Sequence, residues 1–62
     1  MRSFSERERS RIDRQLRETG RELFARYGLR KTTISELTEP AGIAASTFYQ
    51  FYDSKEALYL EL

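Results

Sequence analysis

The chain has 62 residues, 34% of them charged, and a net charge of +1. It contains neither cysteine nor histidine, which excludes disulfides, thiolate or imidazole metal ligands, and histidine-based catalysis. No apolar run approaches the roughly 20 residues that span a bilayer, and no apolar signal core follows the arginine-rich start. We therefore expect one small cytoplasmic domain without a cofactor or a membrane partner.

The charges are unevenly distributed along the chain. Residues 1–31 hold ten Arg and Lys against five Asp and Glu, a balance of +5, whereas residues 32–62 hold one Lys against five acids, a balance of −4. A basic half could serve a polyanionic partner, but a solvated helix crossed by ion pairs is the plainer interpretation. The pI near 8.1 also lies below that of a strongly basic nucleic-acid binder.

The first predicted helix runs from about Ser5 to Tyr27. Ser5 and Glu8 have the spacing of a capping box, and Gly28 is a stop signal that favours left-handed backbone. An apolar stripe at helical spacing predicts the buried face: Ile12, Leu16, Thr19, Gly20, Leu23, Phe24 and Tyr27. Gly20 weakens the helix, so close packing by another helix is the simple reason for a glycine there.

The second predicted helix is short and begins after Thr33. Thr33 and Glu36 form another capping-box pattern. Pro40 lacks an N–H and clashes with the preceding turn, so the helix should end near Glu39. Gly42 then supplies a left-handed turn, and Ile43 is apolar in that turn, which predicts that it fills the core between two helices.

The third predicted helix, Ala45 to about Phe51, carries no charge. Phe48 and Tyr52 lie four residues apart and should face the core. The opposite face of small and polar groups should then meet something other than bulk water.

A fourth predicted helix begins around Asp53, with an Asp53–Glu56 capping box and Ser54 as the rival N-cap. Leu58 and Leu62 start an apolar stripe. The pattern stops in mid-helix, which predicts that the chain is truncated or is a domain cut from a longer protein.

A short helix, a glycine turn and a second short helix, braced by a long first helix, are typical of a helix-turn-helix. The second helix of that motif lies in the DNA major groove. Four segments together resemble the DNA-binding domain of TetR-type (tetracycline-repressor-like) transcriptional regulators: TTISEL at 32–37, AGI at 41–43, STFY at 46–49 and FYDSKEAL at 51–58. Residues 22–28 resemble the end of that family's first helix, so the resemblance extends from about Ile12 to Leu62.

The resemblance implies an all-α, homeodomain-like fold over residues 1–62: a three-helix bundle with a helix-turn-helix, plus the start of a fourth helix. It also implies the partners. These are double-stranded DNA with a near-palindromic operator, a second copy bound through a C-terminal domain, and a small-molecule effector that releases the repressor.

The resemblance further implies which residues contact DNA. Ser35, Ala45 and Ser46 match positions that reach bases, and Gln50 matches a variable position facing the groove. Thr33, Thr47, Tyr49 and Lys55 match positions that contact phosphates. Ordinary structural roles stay open for several of them: Thr33 is a helix cap first, Lys55 could be a solvated lysine, and Gln50 a solvated amide.

The sequence departs from the family pattern at two places that matter for the fold. Thr38 stands where a small apolar residue is usual, and its hydroxyl needs a partner. Ala44 replaces the usual Ser or Thr cap of the recognition helix, at a cost of about 1 kcal/mol.

Two other functions remain alternatives. The first helix, rich in Arg and Glu, could be a protein-interaction module, although it lacks sustained heptads. An enzyme is disfavoured because no close carboxylate pair is indicated and so small a helical chain offers little concavity.

Overall fold

The computed structural model describes residues 4–62, so the first three residues of the predicted 1–62 domain lie outside it. Within 4–62 every regular element is helical. Three α-helices span Glu6–Tyr27 (α1), Ile34–Thr38 (α2) and Lys55–Glu61 (α3), and 3₁₀ helices span Glu39–Ala41 and Ala45–Gln50. The all-α fold is confirmed.

Helix α1 begins as predicted. The Ser5 hydroxyl accepts from the Glu8 N–H at 3.2 Å, and the Glu8 carboxylate accepts from the Ser5 N–H at 3.3 Å. The predicted stripe is buried at Ile12, Leu16, Thr19, Gly20 and Phe24 and half-buried at Leu23. Tyr27 is 51% exposed, so its inclusion was wrong. Gly28 has φ 89° and ψ 157°: φ is positive, yet the backbone is not left-handed helical.

The core gathers one or more side chains from each helical element: Ile12, Leu16, Phe24, Leu37, Ala41, Phe48 and Leu58. Gly20 lets α3 approach α1. A Cβ built on Gly20 would lie 3.1 Å from Leu58 Cδ2 and 3.3 Å from Phe24 Cε2. The predicted reason for the glycine, close packing by another helix, is confirmed.

Helix α2 is held by its caps and by packing, because five residues cannot form a stable helix alone. The Thr33–Glu36 capping box is present. The chain continues past Thr38 as a 3₁₀ turn that contains Pro40, and Gly42 reverses it with φ 73°. The buried Thr38 hydroxyl donates to the carbonyls of Ile34 and Ser35, at 3.0 and 3.2 Å.

The predicted third α-helix is a 3₁₀ helix, Ala45–Gln50, here called the recognition segment. The N–H of Thr47 bonds to the carbonyl of Ala44, and that of Phe51 to Phe48, both at 2.9 Å. Two causes are visible in the sequence. Ala44 provides no side-chain cap, and the β-branched and aromatic residues have modest helix propensity.

Helix α3 begins at the rival N-cap. The Ser54 hydroxyl accepts from the Ala57 N–H at 3.1 Å, and the predicted Asp53–Glu56 capping box is not formed. Leu58 is buried, but Leu62 is 40% exposed, so the predicted stripe holds only for Leu58. No helix within residues 4–62 has both the length and the apolar character needed to cross a membrane.

Candidate DNA-binding surface

The recognition segment is anchored through one ring and presents its neighbours to solvent. Phe48 is fully buried, whereas Tyr49 is 56% exposed. Ser46 and Gln50 are exposed, and Ala45 and Thr47 are half-buried. Tyr49 packs edge-on against Phe48, with ring centroids 5.6 Å apart. The phenol and amide predicted to contact DNA therefore point away from the core.

Helix α2 and the recognition segment share a surface groove of about 410 Å³. Ser35 and Ala45, both predicted to reach bases, line it together with Ile43. The groove also contains the carboxylates of Glu36 and Glu39. Glu39 was not predicted, although its place one turn after the exposed Ser35 could have indicated it. A carboxylate there repels phosphate but can accept from the amino group of cytosine.

Thr33 is occupied by its structural role. Its Oγ1 accepts from the Glu36 N–H at 3.2 Å, and its own N–H donates to Glu36 Oε1 at 2.9 Å. The side chain is nevertheless exposed at the start of α2. A phosphate contact by Thr33 stays a prediction.

Lys55 is not a solvated surface lysine. Its Nζ donates to the carbonyls of Thr32 (2.8 Å), Leu29 (3.0 Å) and Arg30 (3.3 Å). An ammonium has three N–H donors, so all are engaged with the loop between α1 and α2. A phosphate contact by Lys55 stays a prediction, and it would have to replace one of these bonds.

The recognition segment itself contributes no charge, so cations must come from elsewhere. Arg30 and Lys31 are exposed in the loop that leads into α2. Helix α1 carries further exposed arginines near its start, Arg7, Arg11 and Arg14. Within residues 4–62 these exposed side chains are candidate phosphate partners.

Two side chains of α1 contact the end of the recognition segment. The Arg9 guanidinium donates to the backbone carbonyl of Gln50 at 3.3 Å. Its Cζ lies 4.7 Å from the centroid of the Phe51 ring. One turn further along α1, Asp13 Oδ1 accepts from the Tyr52 hydroxyl.

Asp13 is itself held by Arg17, whose Nε donates to Asp13 Oδ2 at 3.1 Å. Two effects raise the pKa of Tyr52 to about 12: burial of the phenol is the larger, and its hydrogen bond to Asp13 is the second. These contacts were not predicted from the sequence. Arg9, Asp13 and Arg17 follow one another at i, i+4 and i+8, which signals a common face, but Tyr52 lies 39 residues from Asp13 and spacing cannot pair them.

Residues 16–62 match the family of bacterial regulatory proteins called the tetR family. The chain belongs to this family. Its match begins in the middle of α1 and covers both helices of the helix-turn-helix and all of α3. The tetR family assignment agrees with the exposed recognition segment and with the all-helical core behind it.

One curated relative is the HTH-type transcriptional repressor KstR2 of Rhodococcus jostii (strain RHA1). It is 42% identical over 40 residues, which cover 64% of this chain and 20% of the repressor. The chain thus matches about a fifth of that protein's length. No solved structure matches the chain.

Membership in the tetR family bears on the alternatives. The family comprises helix-turn-helix regulators of transcription, and a repressor is among the proteins similar to this chain. The protein-interaction module and the enzyme are therefore not favoured.

Proposed function

We propose that this domain binds a specific DNA sequence through the recognition segment and that the protein containing it represses transcription. The observation that carries the proposal is a contrast within the recognition segment. The Phe48 ring is buried, whereas Tyr49 and Gln50, the two residues that follow it, are exposed. A charge-free segment that ends in a phenol and an amide can enter the major groove of DNA without carboxylates of its own. The carboxylates beside it, those of Glu36 and Glu39, come from α2 and the turn that follows α2.

Base recognition is assigned to the protein groove between α2 and the recognition segment, and to the exposed side chains of that segment. Gln50 can pair with adenine through both the carbonyl oxygen and the NH2 of its side-chain amide, a contact worth about 1–3 kcal/mol against a wrong base. Ser35 and Ser46 carry hydroxyls that suit several bases. Ala45 offers only an apolar contact, which suits the methyl group of thymine.

Phosphate contacts are assigned to hydroxyls and to a few cations. Thr47 and Tyr49 would donate hydroxyl hydrogens to phosphate oxygens. Thr33 would do the same after its hydroxyl releases Glu36 Oε1, to which it donates at 3.2 Å. Lys55 is the fourth predicted phosphate contact, provided that it releases a carbonyl. Because few cations take part, the affinity should fall shallowly with salt, by a slope of about −0.9 per phosphate neutralised.

The remaining parts of the proposal concern the whole protein. Two copies would bind half-sites of a near-palindromic operator about 34–36 Å apart. The copies would be joined by a C-terminal domain, and a small-molecule effector bound to that domain would release the operator.

The test begins with selection of duplexes from a random pool, followed by fluorescence anisotropy on the selected and a scrambled sequence. We expect Gln50→Ala to lower the preference for one base pair, by roughly 1–3 kcal/mol. Tyr49→Phe removes a single hydroxyl and should lower the affinity for the selected and the scrambled duplex about equally.

The matched control is Tyr59→Phe, because Tyr59 is a similarly exposed tyrosine on α3, 51% exposed against 56% for Tyr49. It should leave the affinity unchanged. Equal effects of the two substitutions, or a pool from which no sequence is enriched, would refute the proposed function.

A further inference from the structure

The recognition segment is weakly secured by its own residues. It lacks a side-chain cap at Ala44, and its hydrogen bonds are of the 3₁₀ type, which have poorer geometry than those of an α-helix. It contains no ion pair, since it has no charged residue. Phe48 fixes its middle in the core, but one buried ring does not fix the direction in which Tyr49 and Gln50 point.

Helix α1 supplies what the segment lacks. Arg9 contacts two successive residues. Its guanidinium donates to the backbone carbonyl of Gln50 at 3.3 Å, and its Cζ lies 4.7 Å from the centroid of the Phe51 ring. Asp13 accepts from the next residue, Tyr52. Three consecutive residues, 50–52, are thus held by two α1 side chains that lie one helical turn apart.

The two α1 side chains are themselves set on a rigid element. Helix α1 has 22 residues and buries Ile12 and Leu16, which lie between and beside them. Arg17 orients the Asp13 carboxylate at 3.1 Å and also reaches the Glu61 carboxylate of α3 at 3.5 Å. The row Arg9, Asp13 and Arg17 therefore joins the end of the recognition segment to α1 and α3.

We infer that Arg9 and Asp13 are positioning residues for base recognition: they fix the end of the recognition segment so that Gln50 is presented in one orientation. This inference rests on the proposed function. Arg9 then contributes to sequence preference through the backbone of Gln50 and the ring of Phe51, which is a different contribution from that of a cation on a phosphate.

The test compares Arg9→Met with Arg7→Met. Both residues are exposed arginines in the first turns of α1, and both substitutions remove one positive charge. Within residues 4–62, Arg9 is the one of the two that bonds to the Gln50 backbone and lies over the Phe51 ring. We expect both variants to lose similar affinity for scrambled DNA. Only Arg9→Met should reduce the ratio of selected to scrambled affinity, by roughly three- to thirtyfold.

The second arm needs no DNA. In amide NMR spectra of the free protein, Arg9→Met should shift the signals of Gln50 and Phe51, and Arg7→Met should leave them in place. Tyr52→Phe, which keeps the ring and removes the hydroxyl bound by Asp13, should also lower the preference ratio, and Tyr59→Phe should not.

The outcomes separate the inference from the function on which it rests. If Arg9→Met and Arg7→Met lower both affinities equally while the unmodified chain keeps its preference, Arg9 acts only as a charge and the inference is overturned. If the unmodified chain prefers no duplex, the proposed function fails and the inference fails with it.

Discussion

Leu58 of α3 lies directly on Gly20 of α1, so near that a Cβ on the glycine would stand 3.1 Å from Leu58 Cδ2. Leu58 is fully buried and cannot turn its methyl group into solvent. Two effects therefore oppose each other when the glycine is replaced. Alanine improves helix propensity by about 1 kcal/mol, whereas crowding a packed core costs about 1–3 kcal/mol.

We predict that Gly20→Ala lowers the free energy of unfolding, by on the order of 1 kcal/mol, because crowding outweighs propensity. Urea denaturation measures it. The same substitution in a Leu58→Val background, which lacks the crowded Cδ2, should be neutral or stabilising. An equal loss in both backgrounds would show that the contact with Leu58 is not the cause.

Lys55→Met should destabilise the free domain. It leaves the carbonyls of Leu29, Arg30 and Thr32 without their charged donor, and we expect a loss of about 1–3 kcal/mol. Lys31→Met is the control, because Lys31 is an exposed lysine in the loop that holds these carbonyls, and its substitution should change stability little. Thermal denaturation distinguishes the two variants.

The variant Lys55→Met also tests the predicted phosphate contact of Lys55. If its ammonium exchanges a carbonyl for a phosphate in the complex, Lys55→Met should make the dependence of DNA affinity on salt shallower, reducing the magnitude of the log–log slope by about 0.9. An unchanged slope together with a lowered melting temperature would leave Lys55 with the structural role alone.

Tyr52 should make stability depend on pH in the alkaline range. Its pKa is raised from 10.0 to about 12, first by burial and then by the bond to Asp13. The unfolded chain therefore loses this proton at lower pH than the folded chain. The contribution is fully present below about pH 10 and is lost as the pH rises toward about 12.

The measurement for Tyr52 is urea denaturation from about pH 9 to about pH 12. Tyr52→Phe lacks the ionising group, so its stability should fall less steeply over this range than that of the unmodified chain. Parallel curves would contradict the assignment. Other groups that titrate there are common to both proteins and cancel in the comparison.

Ala44→Ser should stabilise the recognition segment by restoring a side-chain cap. The hydroxyl can accept from an N–H of the first turn, and we expect a gain of about 0.5–1 kcal/mol. Ala25→Ser on the exposed side of α1 is the control, and it should be slightly destabilising because serine is a poorer helix former. Amide hydrogen exchange at Thr47 reports the local effect, and faster exchange in Ala44→Ser would refute it.

The features that could be predicted from the sequence are local ones. The caps at Ser5 and Thr33 depend on residues three positions apart, and the turn at Gly42 depends on one residue's freedom of φ. The role of Gly20 was predictable because a glycine weakens a helix, and close approach by a neighbouring helix compensates for that weakness.

The features that could not be predicted depend on contacts between distant residues. The partners of Lys55 are carbonyls more than 20 residues away, and backbone carbonyls leave no mark in a sequence. The 3₁₀ form of the recognition segment reflects a balance between weak propensity, a missing cap and the burial of Phe48. The site residues themselves came from the family resemblance, and their contacts with DNA stay predictions.

The lone buried ring of the recognition segment has an evolutionary consequence. Since Phe48 anchors the segment and the side chains beside it are exposed, substitutions at Ser46, Tyr49 and Gln50 cost little folding free energy. Under the proposed function, a lineage of such domains could thus acquire new target sequences by single steps without first evolving a more robust scaffold.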